Sequence, residues 1–152
     1  MFEICKHLFC HSLITHLLNL LMTSTCTKSH LVQSALVIFN DWSSQQFNLY
    51  DNVSTLEVEW SVGPIPIRDN IGKEVVIRYD TDIASAAKYY TDANGREVLE
   101  RIRNYRPTWH YTVFENTSGN YYPINSRIWI KDQQRQFTVL TGLYCLFSDQ
   151  VS

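Results

Sequence analysis

The chain has 152 residues and a mass of 17.8 kDa, which suits a single domain with a buried core. With 45% apolar and 18% charged residues it is not a long disordered polypeptide, and its formal net charge of −2 excludes a general attraction to polyanions. Three of the four cysteines lie at or before Cys26, so disulfide bonds do not hold the middle of the chain together.

The N-terminal apolar segment, residues 1–35, differs in composition from the rest of the chain. Its run Leu8–Met22 is rich in leucine but is interrupted by His11, His16 and Asn19. A transmembrane helix needs about 20 apolar residues, so we do not expect this run to cross a membrane. A signal-peptide core, an amphipathic helix and non-native sequence all fit it. We expect a short helical segment here, and the sequence leaves the three interpretations open.

From Leu31 onward the apolar residues repeat with a period of two, which predicts half-buried strands. These runs are Ser34–Phe39, Ser54–Val62, Lys73–Asp80, Glu97–Tyr105, Trp109–Glu115, Arg127–Ile130 and Gln136–Leu140. Pro64 and Pro66 exclude a central strand between the second and third runs. A helix also fits the fourth run, but turns at short intervals favour strands. The predicted fold class is mainly β, a partial antiparallel β-sandwich over residues 36–141 with a divergent tail at 142–152.

The stretch YTDANGRE, Tyr90–Glu97, combines carboxylates, an amide and a glycine. A calcium loop with Gly95 at its sixth position would have a tyrosine at the first position and an arginine at the twelfth, and neither supplies the oxygen ligand required. Asn94-Gly95 is instead a strong β-hairpin signal, because both residues tolerate positive φ. We therefore predict a hairpin in which Asp92 accepts hydrogen bonds from backbone amides of the turn.

A second pair of carboxylates, Asp80 and Asp82, would share one face of a strand with Cα atoms roughly 6.7 Å apart. That spacing is compatible with a retaining glycosidase, but nothing nearby separates the two pKa values as acid and nucleophile roles require. We expect both residues to belong to a turn. His110 is the only histidine in the strand region, and the chain has neither a phosphate-binding loop motif nor a serine nucleophile motif.

Two further clusters are interpreted as structural. Arg101, Arg103 and Arg106 are interleaved with Glu97 and Glu100, which favours an ion-paired surface over nucleic-acid binding. Side chains able to bind metal also occur near the N-terminus without a recognised zinc spacing. These side chains are Cys5, His7, Cys10 and His11. We therefore predict no metal site and no nucleic-acid partner.

Two N-glycosylation sequons lie between predicted strands. One is Asn52-Val53-Ser54 and the other is Asn116-Thr117-Ser118. Loops at these places can accommodate a glycan, so Asn52 and Asn116 are predicted glycosylation sites. Two such sites favour a protein of the secretory pathway.

Four blocks of unusual sequence follow one another along the chain: VEWSVGPIPI, GKEVVIRYDTDI, YYTDANGREVLERIRNYRPTW and GNYYPINSRIWIKD. They resemble the α-mannosidases of glycoside hydrolase family 38, the lysosomal branch in particular. The resemblance runs from about Ile38 to Thr141, and the chain departs from the family pattern at both ends. It implies that these residues belong to the β-sandwich region downstream of the catalytic domain.

The resemblance also implies an activity for the parent enzyme, the retaining hydrolysis of terminal α-mannose from oligosaccharides. In the family, a zinc ion held by two Asp and two His grips the sugar hydroxyls, and another Asp is the nucleophile. All of these groups belong to the catalytic domain, and no position of this chain matches them. The resemblance therefore implies zinc in the full-length enzyme, but no catalytic residue, metal ligand or cofactor in this chain.

We therefore expect a fragment of a lysosomal or secretory α-mannosidase that is inactive alone. Its expected partners are a mannose-containing oligosaccharide in the parent enzyme and the missing catalytic domain. The alternative is a stand-alone carbohydrate-binding or scaffold β module, whose aromatic side chains stack on sugar rings. These side chains are Tyr89, Tyr90, Tyr121, Tyr122 and Trp129.

Overall fold

The computed structural model describes residues 23–115, 118–142 and 145–147. The chain divides into two compact units, with the boundary between Val76 and Ile77. The described residues form strands and one 3₁₀ turn, Ser118–Asn120, so the prediction of a mainly β chain is confirmed. The short helix is expected within residues 1–35; residues 1–22 lie outside the described residues, and the described remainder contains a strand, Thr23–Lys28, and the beginning of the next strand at Val32.

The first unit contains a four-stranded antiparallel sheet in the order β1-β2-β3-β4. Its strands are β1 Thr23–Lys28, β2 Val32–Asn40, β3 Ser43–Tyr50 and β4 Leu56–Val62. Each strand pairs with the one before it in sequence, which gives a simple meander. The runs predicted at Ser34–Phe39 and Ser54–Val62 correspond to β2 and β4.

Side chains that lie directly opposite each other on neighbouring strands point to the same face of a sheet. One face of this sheet is apolar because apolar residues lie opposite each other on β2, β3 and β4. Ala35 lies opposite Phe47, which in turn lies opposite Val58. Ala35 and Val37, two residues apart on β2, are almost completely buried. On the edge strand β4 the apolar row ends at Trp60, which is 57% exposed.

The opposite face of the same sheet is polar and centres on Asn48, which is only 4% exposed. The Asn48 Oδ1 accepts hydrogen bonds from the Ser34 hydroxyl at 2.8 Å and from the Gln46 amide at 2.9 Å. Its Nδ2 donates to Glu57 at 3.1 Å and to Glu59 at 3.2 Å. The alternation of Glu57 and Glu59 with apolar residues places both carboxylates on the polar face, where the Asn48 Nδ2 group donates to each of them.

We predict that Asn48→Asp lowers the free energy of unfolding by about 2 kcal/mol at neutral pH. The new carboxylate would face Glu57 and Glu59 without a proton to donate, and acidification should reduce the loss by protonating residue 48. Urea denaturation measures the change. The control is Asn40→Asp, which keeps the exposed oxygen that accepts from the Trp42 amide. Equal losses in the two variants would contradict this account.

The second unit contains another four-stranded antiparallel sheet, in the order β6-β5-β8-β9, and a two-stranded ladder of β7 with β10. The strands are β5 Lys88–Ala93, β6 Glu97–Ile102, β7 Tyr122–Ile124, β8 Arg127–Lys131, β9 Gln136–Leu140 and β10 Cys145–Phe147. The predicted strands at Arg127–Ile130 and Gln136–Leu140 are confirmed. The sandwich packing of the sheets stays a prediction.

The core of the second unit forms around Tyr89, Ile124 and Ile128, which come from β5, β7 and β8. Tyr89 is fully buried, and its hydroxyl donates a 3.0 Å hydrogen bond to the backbone oxygen of Asn120. The side chain of Asn120, also fully buried, accepts a hydrogen bond from the Asn104 amide at 2.9 Å. The buried polar groups therefore tie the loop after β6 to the segment before β7.

Two of the strand predictions are wrong. Lys73–Asp80 and Trp109–Glu115 show the period of two, yet neither is a strand in the described structure. A strand needs a partner for its backbone hydrogen bonds, and neither run is paired within the described residues. Val76 and Phe114 are accordingly 65% and 86% exposed.

Candidate functional site

The hairpin predicted from Asn94-Gly95 joins β5 to β6. Asn94 has φ of 53° and Gly95 has φ of 70°, the left-handed values that these two residue types adopt at low cost. The amide of Arg96 donates a 3.1 Å hydrogen bond to the carbonyl oxygen of Ala93 and closes the turn. The stretch that offered the densest set of polar side chains is therefore a connection between strands.

The Asp92 carboxylate lies buried beside this turn, with 2% of the residue exposed. Its Oδ2 accepts a 2.8 Å hydrogen bond from the Gly95 amide, as the sequence predicted. Its Oδ1 accepts three more, from the amides of Asn125, Ser126 and Arg127, at 3.0, 3.0 and 3.1 Å. One side chain thus holds its own hairpin and also the turn between β7 and β8.

The environment of Asp92 fixes its charge. Burial by itself would raise the pKa of this carboxyl, but the four backbone amides stabilise the ionised form and lower the pKa to about 2. The carboxylate is buried and bonded to four backbone amides, three on Oδ1 and one on Oδ2. Asp92 is therefore a structural anion that holds two turns together.

We predict that Asp92→Ala lowers the free energy of unfolding by about 3 kcal/mol or more, because it leaves four amides without their anionic acceptor. Asp92→Asn should lower the free energy of unfolding by less than Asp92→Ala does. Its amide oxygen can still accept hydrogen bonds from backbone amides, whereas its NH₂ group faces a backbone donor. Chemical denaturation measures both variants. The control is Asp80→Asn, which removes only an exposed ion pair and should change stability by less than about 0.5 kcal/mol.

The low pKa of Asp92 also predicts a pH dependence. A carboxyl with a folded pKa of about 2 and an unfolded value of 3.8 stabilises the folded state above pH 4. This contribution is lost as the pH falls from about 4 toward 2, where the folded carboxylate becomes protonated. Denaturation of the unaltered chain and of Asp92→Asn across this range should therefore give converging stabilities. A difference that stays constant down to pH 2 would contradict the assignment.

The two carboxylates considered as a glycosidase pair have separate cationic partners. Asp80 forms an exposed ion pair with Arg78 at 2.7 Å. Asp82 accepts bonds of 2.9 Å on both oxygens from one Arg135 nitrogen, and this hydrogen bonding lowers the pKa of Asp82. Each carboxylate is engaged by an arginine of its own, so the structure does not build an acid and nucleophile pair here.

Most of the aromatic rings considered for sugar stacking are occupied by protein groups. Tyr90 and Trp129 lie opposite each other on β5 and β8 and stack at 5.5 Å with an interplanar angle of 14°. The Lys131 ammonium lies 5.0 Å from the centre of the Tyr90 ring, and the Arg127 guanidinium lies 5.8 Å from that of Trp129. Tyr89 is buried in the core. These rings stabilise the sheet through cross-strand and cation–π contacts.

Two of the three arginines predicted to lie on an ion-paired surface contact aromatic rings instead. The Arg101 guanidinium stacks 4.0 Å from the centre of the Tyr122 ring, and Arg106 lies 4.7 Å from that of Tyr111. Strand pairing explains the difference, because it puts Arg101 on the core side of β6 and Glu100 on the other side. Glu100 pairs with Lys88 at 3.1 Å instead.

The described residues do not offer the donors that a metal ion needs. No group of three or more His, Cys, Asp or Glu side chains converges within this part of the chain. His110, the histidine of the strand region, is exposed. The part of the chain that the structure describes also contains no helix with the length and apolar character needed to span a bilayer.

The sequence that forms these strands matches a known class of domain. The model of the glycosyl hydrolases family 38 C-terminal domain matches residues 16–143, and the chain belongs to this family. The match begins upstream of Ile38, where the recognisable motifs start, and so includes β1 and the beginning of β2. The short polar strand β1 carries no distinctive motif, which is why the sequence blocks alone did not reveal it.

The chain is similar to several α-mannosidases along most of its length. It is 52% identical to lysosomal alpha-mannosidase from Bos taurus over 126 residues, which are 80% of this chain and 13% of that protein. It is 53% identical over 114 residues to the enzyme of the same name from Homo sapiens, covering 75% of this chain and 11% of that protein. Alpha-mannosidase from Canavalia ensiformis is 41% identical over 114 residues. The chain thus spans about one eighth of the length of these relatives.

Members of the family are generally zinc-dependent. The carboxylates of Asp92 and Asp82 do not fit a zinc ion, because backbone amides engage the first, Arg135 engages the second, and neither belongs to a group of three metal-binding side chains within the described residues. A zinc centre normally needs three or four nitrogen, sulfur or oxygen ligands that converge on one point. The described residues therefore supply no step that proceeds through zinc.

Proposed function

We propose that this chain forms part of the C-terminal β domain of a lysosomal-type α-mannosidase and supports a catalytic centre built by other parts of the enzyme. The parent reaction is the hydrolysis of terminal α-D-mannose from oligosaccharides in the lysosome or the secretory pathway. The family match and the names of the relatives support this assignment.

The main support for this proposal is that three carboxylates of the chain are already engaged by amides or arginines. A retaining glycosidase needs two carboxyl groups with access to one sugar, one of them with a raised pKa. In this chain Asp92 is bonded to four amides, and Asp80 and Asp82 are engaged by arginines. The charges of these groups are engaged in hydrogen bonds and ion pairs within the chain, so we propose that the chain is inactive by itself.

The proposed supporting role rests on hydrogen bonds that join distant residues of this chain. Three of the four hydrogen bonds that Asp92 accepts join residues more than thirty positions apart, and the guanidinium of Arg106 donates to the carbonyl oxygen of Gly119. Such contacts give a small β domain a defined shape without a catalytic group. A rigid domain of this kind can pack against a separate catalytic domain in the complete enzyme.

We predict that the purified chain with added zinc does not hydrolyse an aryl α-mannoside above the buffer rate, because it lacks an available acid and nucleophile. The rate of aryl alcohol release measures this, with a complete α-mannosidase as the positive control. Turnover by the chain that is abolished by a chelator would overturn the proposal.

The same experiment has a second arm that tests the supporting role. The matched stretch of the Bos taurus enzyme is replaced by the corresponding residues of this chain, and the chimera is assayed on the same substrate. We expect the chimera to be secreted and active, and we expect Asp92→Ala within it to reduce the yield of folded enzyme. An active chimera whose yield is unaffected by that substitution would contradict the role given to Asp92.

A further inference from the structure

We propose that Asn52 carries an N-linked glycan that covers an exposed apolar end of the first sheet. The inference rests on the proposed function, because N-glycosylation takes place only on chains that enter the secretory pathway. In this modification the glycan donor is a lipid-linked oligosaccharide, and the acceptor is the side-chain amide of Asn52.

The acceptor residue lies where a transferase has access to it. Asn52 is the second residue of the loop between β3 and β4, is exposed, and has φ of 60°. Its Nδ2 donates one hydrogen bond of 2.9 Å to the exposed carboxylate of Asp51. This contact is local and lies at the surface, so water or a sugar amide can replace it at little cost.

The rest of the sequon is equally accessible. Val53 and Ser54 are exposed and belong to no strand, so the tripeptide can adopt the conformation that a transferase requires without unpairing a sheet. The Ser54 hydroxyl makes no side-chain hydrogen bond to another described residue and is therefore available at the position two residues after the acceptor. The loop combines an exposed acceptor amide with an exposed hydroxyl, which the sequon motif by itself does not guarantee.

The surroundings of the loop give the glycan a physical purpose. The Asp51 amide donates a 2.8 Å hydrogen bond to the carbonyl oxygen of Leu31, which brings the β1–β2 turn next to the loop. Four large apolar side chains at this end of the sheet are exposed by 40–63%. They are Leu31, Tyr50, Val53 and Leu56. Exposed apolar side chains favour association, and a hydrated glycan beside them reduces that tendency.

The chemical step is a transfer to nitrogen. A bond forms between Nδ2 of Asn52 and C1 of the first N-acetylglucosamine. The bond between C1 and the pyrophosphate oxygen of the lipid-linked donor breaks, and one amide proton is lost to solvent. No oxidant or reductant is needed, and the pyrophosphate leaves with the bonding electrons.

The test uses the full chain translocated into microsomes behind a cleavable signal sequence, so that entry into the lumen does not depend on its own residues. Asn116→Gln is present throughout, because Asn116 lies outside the described residues and would confuse the count of glycans. An acceptor tripeptide appended after Ser152 reports entry, and only molecules modified there are scored. The readout is gel mobility before and after enzymatic removal of N-glycans.

We expect two glycans on the parent chain and one, on the appended tripeptide, in each of the variants Asn52→Gln and Ser54→Ala. Ser54→Thr is the matched control, since it keeps the hydroxyl and should keep both glycans. One glycan on the parent chain would overturn the assignment of Asn52 while leaving the proposed function intact. Loss of the second glycan in Ser54→Thr would also overturn it, because the hydroxyl would then not be the requirement.

The covering role has a separate readout. Enzymatic removal of the glycan from the folded chain should increase the fluorescence of a dye that binds apolar surface, and the same treatment should leave Asn52→Gln unchanged. Equal dye binding before and after removal would overturn the covering role.

Discussion

The buried carboxylate of Asp92 is the interaction on which the second unit depends. It accepts hydrogen bonds from the Gly95 amide and from three consecutive amides at residues 125–127. Two turns that are distant in sequence are thereby fixed relative to each other, and strand β8 starts where the third of these amides lies. Because the acceptor is charged and shielded from water, each bond is stronger than one between neutral groups. The hairpin, the β7–β8 turn and the core around Tyr89 therefore form as one arrangement.

The first unit uses neutral and charged groups in a different way. Its polar face is organised by the amide of Asn48, which is shared between oxygen acceptors on β4 and donors on β2 and β3. Its apolar face is made by the alternating residues of the same strands. An amide that both donates and accepts can satisfy neighbours of opposite character, which neither a carboxylate nor an ammonium can do. The two units thus solve the same problem of buried polar groups with different side chains.

These arrangements bear on how a domain of a glycoside hydrolase family uses its acidic residues. Carboxylates are the chemical tools of glycosidases, but they are also the strongest acceptors for backbone amides. In this chain Asp92 is engaged in a turn, and Glu100 and Asp82 are engaged in ion pairs.

The sequence by itself determined the local elements. It predicted the hairpin at Asn94-Gly95, the strands around Trp129 and Val139, and a structural role for Asp92, because these follow from φ preferences and from alternation along a few residues. It did not reveal that residues 125–127 bind Asp92, or that Arg101 stacks on Tyr122 while Glu100 faces the other way. It also predicted a strand at Lys73–Asp80, where the described structure has none. Alternation reports only that side chains have two environments. Which distant strand or amide supplies the partner was decided by the tertiary structure, because hydrogen bonds of this kind join residues whose separation in sequence carries no local signal.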